Sequence, residues 1–128
     1  MAKLVPYIFS EDAHAQGNYY AEVLRGEIVN LRHYSDLPDM PQEMQEKVLH
    51  LELRAGDLKL YMADTTPARA GNRIDLTLEC RSEEEGAGIF DKLAREGKVI
   101  FPFGRMPWGA LLGRVEDRFG ITWQIAAD

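Results

Sequence analysis

The segment that decides the fold runs from Lys47 to Ala63 and reads K-V-L-H-L-E-L-R-A-G-D-L-K-L-Y-M-A. Apolar and polar residues alternate on both sides of its Gly56 turn, and a period of two is typical of a strand buried on one face. One face is predicted to be apolar: Leu49, Leu51 and Leu53, then Leu58, Leu60 and Met62. The other face of the first strand carries Val48, His50, Glu52 and Arg54. The segment therefore predicts a β-hairpin, Lys47–Arg54 and Leu58–Ala63.

Upstream of this hairpin, the sequence predicts a strand, a helix and another strand. The apolar run Leu4–Phe9 predicts the first strand. Ser10 or Asp12 can cap the helix, because either side chain accepts hydrogen bonds from the free amides of a first helical turn. Residues at helical spacing follow, and Gly26 ends the series: Ala13, Gly17, Tyr20 and Leu24. A glycine inside a helix costs on the order of 1 kcal/mol relative to alanine. Gly17 therefore predicts that another element packs closely there.

The next strand, Ile28–Tyr34, is predicted to alternate without interruption. One face would carry Ile28, Asn30, Arg32 and Tyr34, and the other Val29, Leu31 and His33. A polar loop with two prolines then leads to the hairpin. The first half of the chain thus reads β-α-β-β-β.

The second half repeats this order after a segment rich in Thr, Pro, Ala and Gly at 65–72. Ile74–Cys80 alternates as a strand, and Ser82 with Glu85 forms an S-x-x-E capping box that opens a helix. This helix is predicted to bury Phe90, Leu93 and Ala94 and to end at Gly97. Three strands are predicted to follow it: Val99–Phe103, Gly109–Glu116 and Ile121–Ala126.

These elements predict an α+β fold made of two βαβββ modules within one domain, 1–128. The first module covers about 1–64, the linker 65–72, and the second module about 73–128. A doubly wound parallel sheet would need a helix after nearly every strand, and the sequence predicts only two helices. A ferredoxin-like βαββαβ domain stays open as an alternative, if one of the predicted strands is a loop.

Composition and charge narrow the function classes. The chain has 128 residues, 45% hydrophobic and 28% charged, which is the balance of a soluble globular domain. The net charge is −6 and no basic patch is visible, which argues against nucleic acid as a partner. No apolar run is long enough to span a membrane and the N-terminus lacks a signal-peptide core, so a cytoplasmic location is expected. The single cysteine, Cys80, is expected to pack within an apolar strand.

Several stretches resemble one known family over nearly the whole chain. They are V-P-Y-I-F (5–9), Ala13–Gly26 with Y-Y-A-E-V-L-R-G, Val48–Asp64, Ile74–Cys80, Phe90–Pro102, and Trp108–Ile125 with D-R-F-G-I-T-W. In these motifs the chain resembles the PhnB-like (demethylubiquinone methyltransferase-like) branch of the glyoxalase/bleomycin-resistance, or vicinal oxygen chelate, superfamily. The resemblance implies a curved mixed β-sheet cup with the two helices packed outside, and a small-molecule pocket. Family membership alone does not give the reaction.

The resemblance also implies where a divalent metal would be held, on the first and last strands of each module. The matching positions carry Tyr7, Tyr61, Arg73 and Gln124, and none of these is a histidine or a carboxylate. We therefore expect no metal and no other cofactor. His50 and Glu52 lie two apart on one strand and share a face, but two ligands are too few for a metal site. A polar sheet face or a salt-bridged subunit contact is the favoured interpretation of this pair.

Candidate binding residues are chosen as titratable or aromatic side chains on predicted sheet strands or at the rim of the pocket: Tyr7, His50, Glu52, Tyr61, Asp75, Trp108 and Gln124. General acid–base chemistry would rest on His50, Glu52, Asp75 or Glu79, although solvent or a partner subunit explains Asp75 equally well. No catalytic residue is assigned. Methyl transfer lacks support, because no strand is followed by a glycine-rich turn for a nucleotide cofactor.

The sequence thus favours a protein that binds a small apolar or aromatic molecule without a catalytic metal. The alternatives are a metal-dependent lyase, isomerase or dioxygenase of the glyoxalase type, and a dimeric scaffold without a small-molecule site. The resemblance also implies a homodimer, which would cover exposed edge strands.

Overall fold

The computed structural model describes residues 2–128, and these divide into two compact units. The first unit ends at Ala68, and the second is Arg69–Asp128. Within the described residues, each unit holds one α-helix and one four-stranded mixed sheet. Each helix packs on the sheet of its own unit.

The first unit has the element order β1 (Tyr7–Ser10), α1 (Ala13–Leu24), β2 (Glu27–His33), β3 (Val48–Ala55) and β4 (Leu58–Asp64). Its strands lie side by side in the order β1-β4-β3-β2. The β1–β4 pair is parallel, whereas β3 is antiparallel to both β4 and β2. The hairpin predicted around Gly56 is therefore β3 and β4, at the centre of the sheet.

The second unit repeats this arrangement with β5 (Leu76–Cys80), α2 (Glu83–Arg95), β6 (Lys98–Arg105), β7 (Leu111–Glu116) and β8 (Thr122–Ala127). Its strand order, β5-β8-β7-β6, is the order of the first sheet element for element, with the parallel pair again formed by the first and last strands. The predicted α+β fold of two similar βαβββ modules is confirmed.

In the first unit, α1 begins at the predicted cap, because Asp12 Oδ1 accepts from the amide of Ala15 at 3.1 Å. One helix face is buried: Ala13, Gln16, Gly17, Tyr20 and Val23. A Cβ at Gly17 would lie 3.0 Å from Leu51 Cδ1 and 3.4 Å from Ile28 Cδ1. The close packing predicted from this glycine is therefore present, and it brings α1 onto β3.

In the second unit, α2 covers a core that contains Phe90, Leu93, Val115, Trp123 and Ile125. Ser82 caps the helix, since its Oγ accepts from the Glu85 amide at 3.1 Å. Glu85 in turn accepts from the amide of Arg81 at 2.8 Å, one residue earlier than the predicted capping box requires. Ala94, predicted to be buried, is only half-buried because it lies beside that face.

One glycine in each unit shows the repeat at atomic detail. A Cβ at Gly26 would collide with the backbone oxygen of Arg54, and a Cβ at Gly97 with the backbone oxygen of Glu116. Both glycines therefore follow a helix where the chain must pass close to the neighbouring strand. After α1, the residue with a left-handed backbone conformation is Arg25 and not Gly26. Gly26 is therefore required because a side chain would not fit there, not because of its backbone angle.

The first strand of each unit begins later than predicted. Leu4 and Ile74 are 96% and 82% exposed, and they lie outside β1 and β5. If the register Tyr7↔Tyr61 is extended backwards, Leu4 lies opposite the first residue of β4. Between Leu4 and Tyr7, Pro6 has no backbone N–H to donate to the neighbouring strand. Likewise, the register Leu76↔Trp123 leaves Ile74 level with the residue before β8 begins. Neither residue therefore has a complete strand partner.

The predicted alternation of β2 and β3 is wrong at two irregularities. The register steps from Ile28↔Leu53 to Asn30↔Glu52, which inserts Val29 as an extra residue and returns Ile28 to the helix side of the sheet. A second shift, from Arg32↔His50 to His33↔Val48, leaves Leu49 as the extra residue. For this reason Val48 is 2% exposed, and Leu49, predicted for the core, is only half-buried.

Candidate functional site

The side of the first sheet that does not face α1 carries most of the candidate residues of this unit. We call it the helix-free face of the first unit, and its members on β1, β3 and β4 are Tyr7, Phe9, His50, Glu52, Arg54, Lys59 and Tyr61. These side chains alternate along β1, β3 and β4 with the buried residues that face α1. The register aligns Tyr7 with Tyr61, and Tyr61 with Glu52, so three predicted site residues form one row across the sheet.

Four rings on this face form a continuous aromatic cluster. Tyr7 stacks on Phe9 with ring centroids 5.0 Å apart, and it meets the edge of Tyr61 at 5.8 Å. His50 contacts both tyrosines, at 4.9 Å from Tyr61 and 5.7 Å from Tyr7. Tyr7 is 43% and Phe9 58% exposed, which is unusual for large rings on a sheet. The cluster is therefore both ordered by ring contacts and accessible to solvent.

A hydrogen bond links two of these rings. The Tyr7 hydroxyl lies 3.1 Å from His50 Nδ1 and can donate to it when that nitrogen carries no proton. Burial raises the pKa of Tyr7 above 10.0, and the neighbouring Tyr34 adds to this shift. Tyr7 therefore stays protonated, and a donor, throughout the physiological pH range. His50 Nε2 is left as the second polar atom of the pair.

The charged groups that β3 and β4 place on this face have partners on the same face. Arg54 Nε donates to Glu52 Oε2 at 2.6 Å, and this hydrogen bond lowers the pKa of Glu52. Lys59 Nζ lies 5.5 Å from the centre of the Tyr61 ring and 3.4 Å from its hydroxyl. His50 and Glu52 do share a face as predicted, but each has a different partner.

The helix-free face of the second unit carries an ion pair with a third member. Arg114 Nε and Nη2 donate to Asp75 Oδ2 and Oδ1 at 2.6 and 3.1 Å, and Gln124 Nε2 donates to Asp75 Oδ2 at 3.1 Å. The Asp75 side chain is 10% exposed and that of Arg114 37%. The guanidinium first, and then the Gln124 amide, hold the pKa of Asp75 below 3.8. The structure thus joins two predicted residues, Asp75 and Gln124, directly, and adds Arg114 as a second partner of Asp75.

The residues at the family's metal positions do not fit a divalent ion. Tyr7 and Tyr61 lie on the first face, Gln124 donates its amide to Asp75, and Asp75 is occupied by a guanidinium. Among residues 2–128, no three His, Cys, Asp or Glu side chains come together as a metal-ligand group. Phenol and amide groups are poor substitutes for the imidazoles and carboxylates that such an ion prefers.

Three aromatic residues of the second unit separate into two groups, one exposed and one in the core. Trp108 lies in the loop between β6 and β7 and is 72% exposed, so it is not part of the core of the second unit. Trp123 is fully buried and its Nε1 donates to Asp117 Oδ2 at 2.9 Å, and Phe103 packs on Phe90 at 5.8 Å. Both rings belong to the core beneath α2.

Sequence reasoning missed two residues that the structure brings into these faces. Phe9 follows Tyr7 by two positions, and this spacing was a usable signal. Arg114 lies in L-L-G-R-V-E, where the adjacent Leu111 and Leu112 hide the alternation and Gly113 occupies a buried position.

Cys80, expected in the core, is half-buried. Burial, together with the neighbouring Glu85, raises the pKa of its thiol, which makes it a poor nucleophile.

A separate depression lies in the loop between β2 and β3. It measures about 380 Å³ and is lined by His33, Ser35, Gln45 and Glu46. None of these residues is among the predicted ligand-binding residues, and the depression is wide open to solvent. It therefore adds no chemistry to the two helix-free faces.

Comparison with known proteins gives the family. The sequence model of the family described as 3-demethylubiquinone-9 3-methyltransferase matches residues 2–126. The chain belongs to this family. Protein YjdN of Escherichia coli K12 is 26% identical over 136 residues, covering 95% of this chain and 92% of YjdN. The resemblance to the PhnB-like branch that the sequence motifs indicated is therefore confirmed.

Solved structures agree with this assignment. Protein PA1353 from Pseudomonas aeruginosa has a TM-score of 0.87 at 26% identity, covering 100% of this chain and 98% of that one. A putative 3-demethylubiquinone-9 3-methyltransferase, the PhnB protein from Bacillus cereus, has a TM-score of 0.82 at 23% identity, with 99% and 100% covered. The fosfomycin resistance protein FosX from Listeria monocytogenes shares the fold at 8% identity, with a TM-score of 0.71 and 100% and 93% covered. The fold of this chain is thus the fold of that fosfomycin resistance protein. In the described residues, neither helix has the length and apolar character that a membrane crossing requires.

Proposed function

We propose that this protein binds a small aromatic or apolar molecule on the helix-free face of its first unit, without a catalytic metal. The observation that carries this proposal is the cluster of Tyr7, Phe9, His50 and Tyr61, in which ring contacts order side chains that remain accessible. Aromatic rings bury a large area for little conformational entropy, and a planar apolar ligand can stack on or meet the edge of such rings.

Two polar atoms give the cluster a way to orient a ligand. The Tyr7 hydroxyl and the His50 imidazole are already joined by a hydrogen bond, so neither ring is free to rotate away. His50 Nε2 then offers either a donor or an acceptor, depending on its tautomer. A ligand with one hydroxyl or carbonyl group on an aromatic body matches this combination of stacking surface and single polar contact.

The donor set supports the proposal of binding without a metal. Phenol, amide and guanidinium groups stand where a divalent ion would need imidazoles or carboxylates, and Asp75 is held by Arg114. Methyl transfer is not proposed, although the family carries that description. The connection between β1 and α1 is Glu11-Asp12, which lacks the glycines that let a backbone approach a nucleotide cofactor.

The proposal is tested with indole as a neutral aromatic probe and nuclear magnetic resonance of the full chain. We expect indole to shift the ring signals of Tyr7, Tyr61 and His50 along one saturating curve. Replacing Tyr7 or Tyr61 by Leu removes a ring but keeps an apolar side chain, and each change should weaken binding about tenfold, in keeping with the loss of one ring contact.

Tyr19→Leu is the matched control, because Tyr19 lies on α1, beyond the opposite side of the sheet, and packs on Tyr20. It should leave the indole affinity unchanged. Binding that is equal in all three variants would refute the proposed surface.

Metal analysis of the purified protein, with assays after addition of Ni²⁺, Zn²⁺ or Mn²⁺, tests the other half of the proposal, that no catalytic metal is needed. A stoichiometric metal that is needed for activity would establish the glyoxalase-type alternative instead.

We further propose that the protein is a homodimer. In each sheet an edge strand exposes apolar side chains: Val29 on β2, and Val99 and Ile100 on β6, between 42% and 44% exposed. Edge strands of this kind are usually covered by another chain or element. Sedimentation velocity at micromolar concentration should give a dimer, and a purely monomeric boundary would contradict the proposal.

A further inference from the structure

The Asp75–Arg114 pair of the second unit differs from an ordinary surface ion pair. The Asp75 side chain is 10% exposed and accepts three hydrogen bonds, two from Arg114 and one from Gln124. In the same unit, Arg118 Nη1 lies 2.7 Å from Glu96, but the Glu96 side chain is 59% exposed. A carboxylate that is largely removed from water and contacted on both oxygens holds its arginine in one orientation.

This orientation leaves one edge of the guanidinium accessible. Asp75 contacts Nε and Nη2, which is the side edge of the group. Arginine has five N–H donors, so both protons of Nη1 and one of Nη2 remain, and the end edge carries one proton from each of these two nitrogens. The Arg114 side chain is 37% exposed, and that end edge has the spacing to donate to both oxygens of a carboxylate.

A ring projects from the same face of the sheet as this guanidinium. Phe101 of β6 is directly opposite Arg114 in the ladder, and directly opposite residues project from the same face of a sheet. The register shifts on both sides of Phe101, between Val99 and Phe101 and again between Phe101 and Gly104. Each shift adds one residue to β6 and interrupts the alternation of its side chains, so Phe101 need not follow the direction of its neighbours along the strand. Phe101 is 45% exposed, whereas Phe103, two residues later, packs on Phe90 of α2.

We propose that Arg114, oriented by Asp75 and Gln124, binds the carboxylate of a small aromatic acid whose ring lies against Phe101. All the residues involved belong to the second unit, so the proposal is independent of the aromatic cluster of the first unit. Because Asp75 neutralises part of the guanidinium charge, the affinity comes from the fixed two-point geometry more than from net charge. A neutral amide of the same shape is therefore a poor ligand.

The test is a titration of the full chain with benzoate, followed through the side-chain Nε–H signal of Arg114 and the backbone amides of β7 and β8. Benzoate should shift these signals, and benzamide should bind at least about tenfold more weakly, as expected when one charge-assisted two-point contact is lost. Phenylphosphonate replaces the planar carboxylate by a tetrahedral anion and should also bind more weakly than benzoate. If benzamide binds as well as benzoate, the proposal fails.

Variants locate the site. Arg114→Gln should weaken benzoate binding about tenfold or more, and Arg114→Lys, which keeps the charge but not the two-point edge, should weaken it nearly as much. Arg118→Gln is the matched control, because Arg118 is 38% exposed and also paired with a carboxylate, and it should change nothing. Full affinity in Arg114→Lys shows that charge alone suffices and overturns the proposed geometry. If Arg114→Gln does not fold, the comparison of Arg114→Lys with Arg118→Gln decides the matter. Indole shifts at Tyr7 and Tyr61 report the other proposal separately, so either can fail alone.

Discussion

The Tyr7 hydroxyl lies 3.1 Å from His50 Nδ1, although the two residues are 43 positions apart in the chain. The parallel pairing of β1 with β4 and the antiparallel pairing of β4 with β3 bring them together on one face. Such a contact exists only in the folded module. It is therefore a sensitive reporter of the helix-free face that we propose as a binding surface.

Tyr7 should ionise only above pH 10.0, because burial, with a smaller effect of Tyr34, raises its pKa. The stabilisation connected with this shift is fully present below the unfolded pKa of about 10 and is lost as the pH rises through the folded pKa. An ultraviolet titration of the wild type minus Tyr7→Phe isolates this phenol. A midpoint at or below pH 10.0 would contradict the structure.

Asp75 should make the protein more sensitive to acid. Its pKa is lowered by Arg114 first and by Gln124 second, so its stabilising effect is present above the unfolded value of 3.8 and is lost as the pH falls below it. The free energy of unfolding of the wild type should therefore fall more steeply between about pH 5 and pH 2 than that of Asp75→Asn. Urea unfolding at several pH values measures both slopes. Asp91 is an exposed carboxyl on α2, so Asp91→Asn controls for the change in net charge. Equal slopes for the wild type and Asp75→Asn would refute the prediction.

Gly113 should be irreplaceable in the core of the second unit. A Cβ there would lie 2.7 Å from Phe90 Cε2 and 2.8 Å from the backbone Cα of Phe103, so Gly113→Ala should destabilise the protein by about 1–3 kcal/mol. Gly104→Ala is the control on the neighbouring strand, since nothing lies within 4 Å of its Cβ position. Thermal unfolding compares the two, and similar melting temperatures would show that the core can shift to accept the methyl group.

The buried carboxylate of Asp117 should tolerate no conversion to an amide. It is 3% exposed, and Oδ1 accepts from the amides of Phe119 and Ile121 while Oδ2 accepts from Trp123 Nε1 at 2.9 Å. In Asp117→Asn an N–H donor would face the indole N–H, which should cost about 2–3 kcal/mol. Urea unfolding followed by tryptophan fluorescence measures this loss. Asp57→Asn, in the exposed hairpin turn, should have no effect, and an equally stable Asp117→Asn would mean that another acceptor replaces the lost oxygen.

Strand periodicity predicted the sheets well where the ladder is regular. Leu51 and Leu53 are fully buried and His50, Glu52 and Arg54 share the opposite face, as the alternation of the hairpin indicated. It failed at Val48 and Ile28, because an extra residue in either strand reverses the direction of every side chain that follows. A bulge leaves no local signal in Val29 or Leu49, since its position depends on the partner strand.

The candidate site was only partly accessible to sequence reasoning for a related reason. Tyr7, Tyr61, His50 and Glu52 could be chosen by residue type and face, but their ring contacts depend on the register of three strands. Arg114 was missed because its role depends on Asp75, 39 positions away, and on Gln124 in the adjacent strand.

The amino-acid pattern alone indicated the element order, the βαβββ repeat and the cap at Ser82, and it narrowed the cap of α1 to Ser10 or Asp12. These features are local: they depend on periodicity, on a side chain near its own backbone, or on residue type at one position. Only the tertiary structure decided which rings of the Lys47–Ala63 hairpin meet Tyr7, and which guanidinium holds Asp75. Those contacts join strands that are distant in the chain, and their geometry is set by pairing register and bulges, which no single segment encodes.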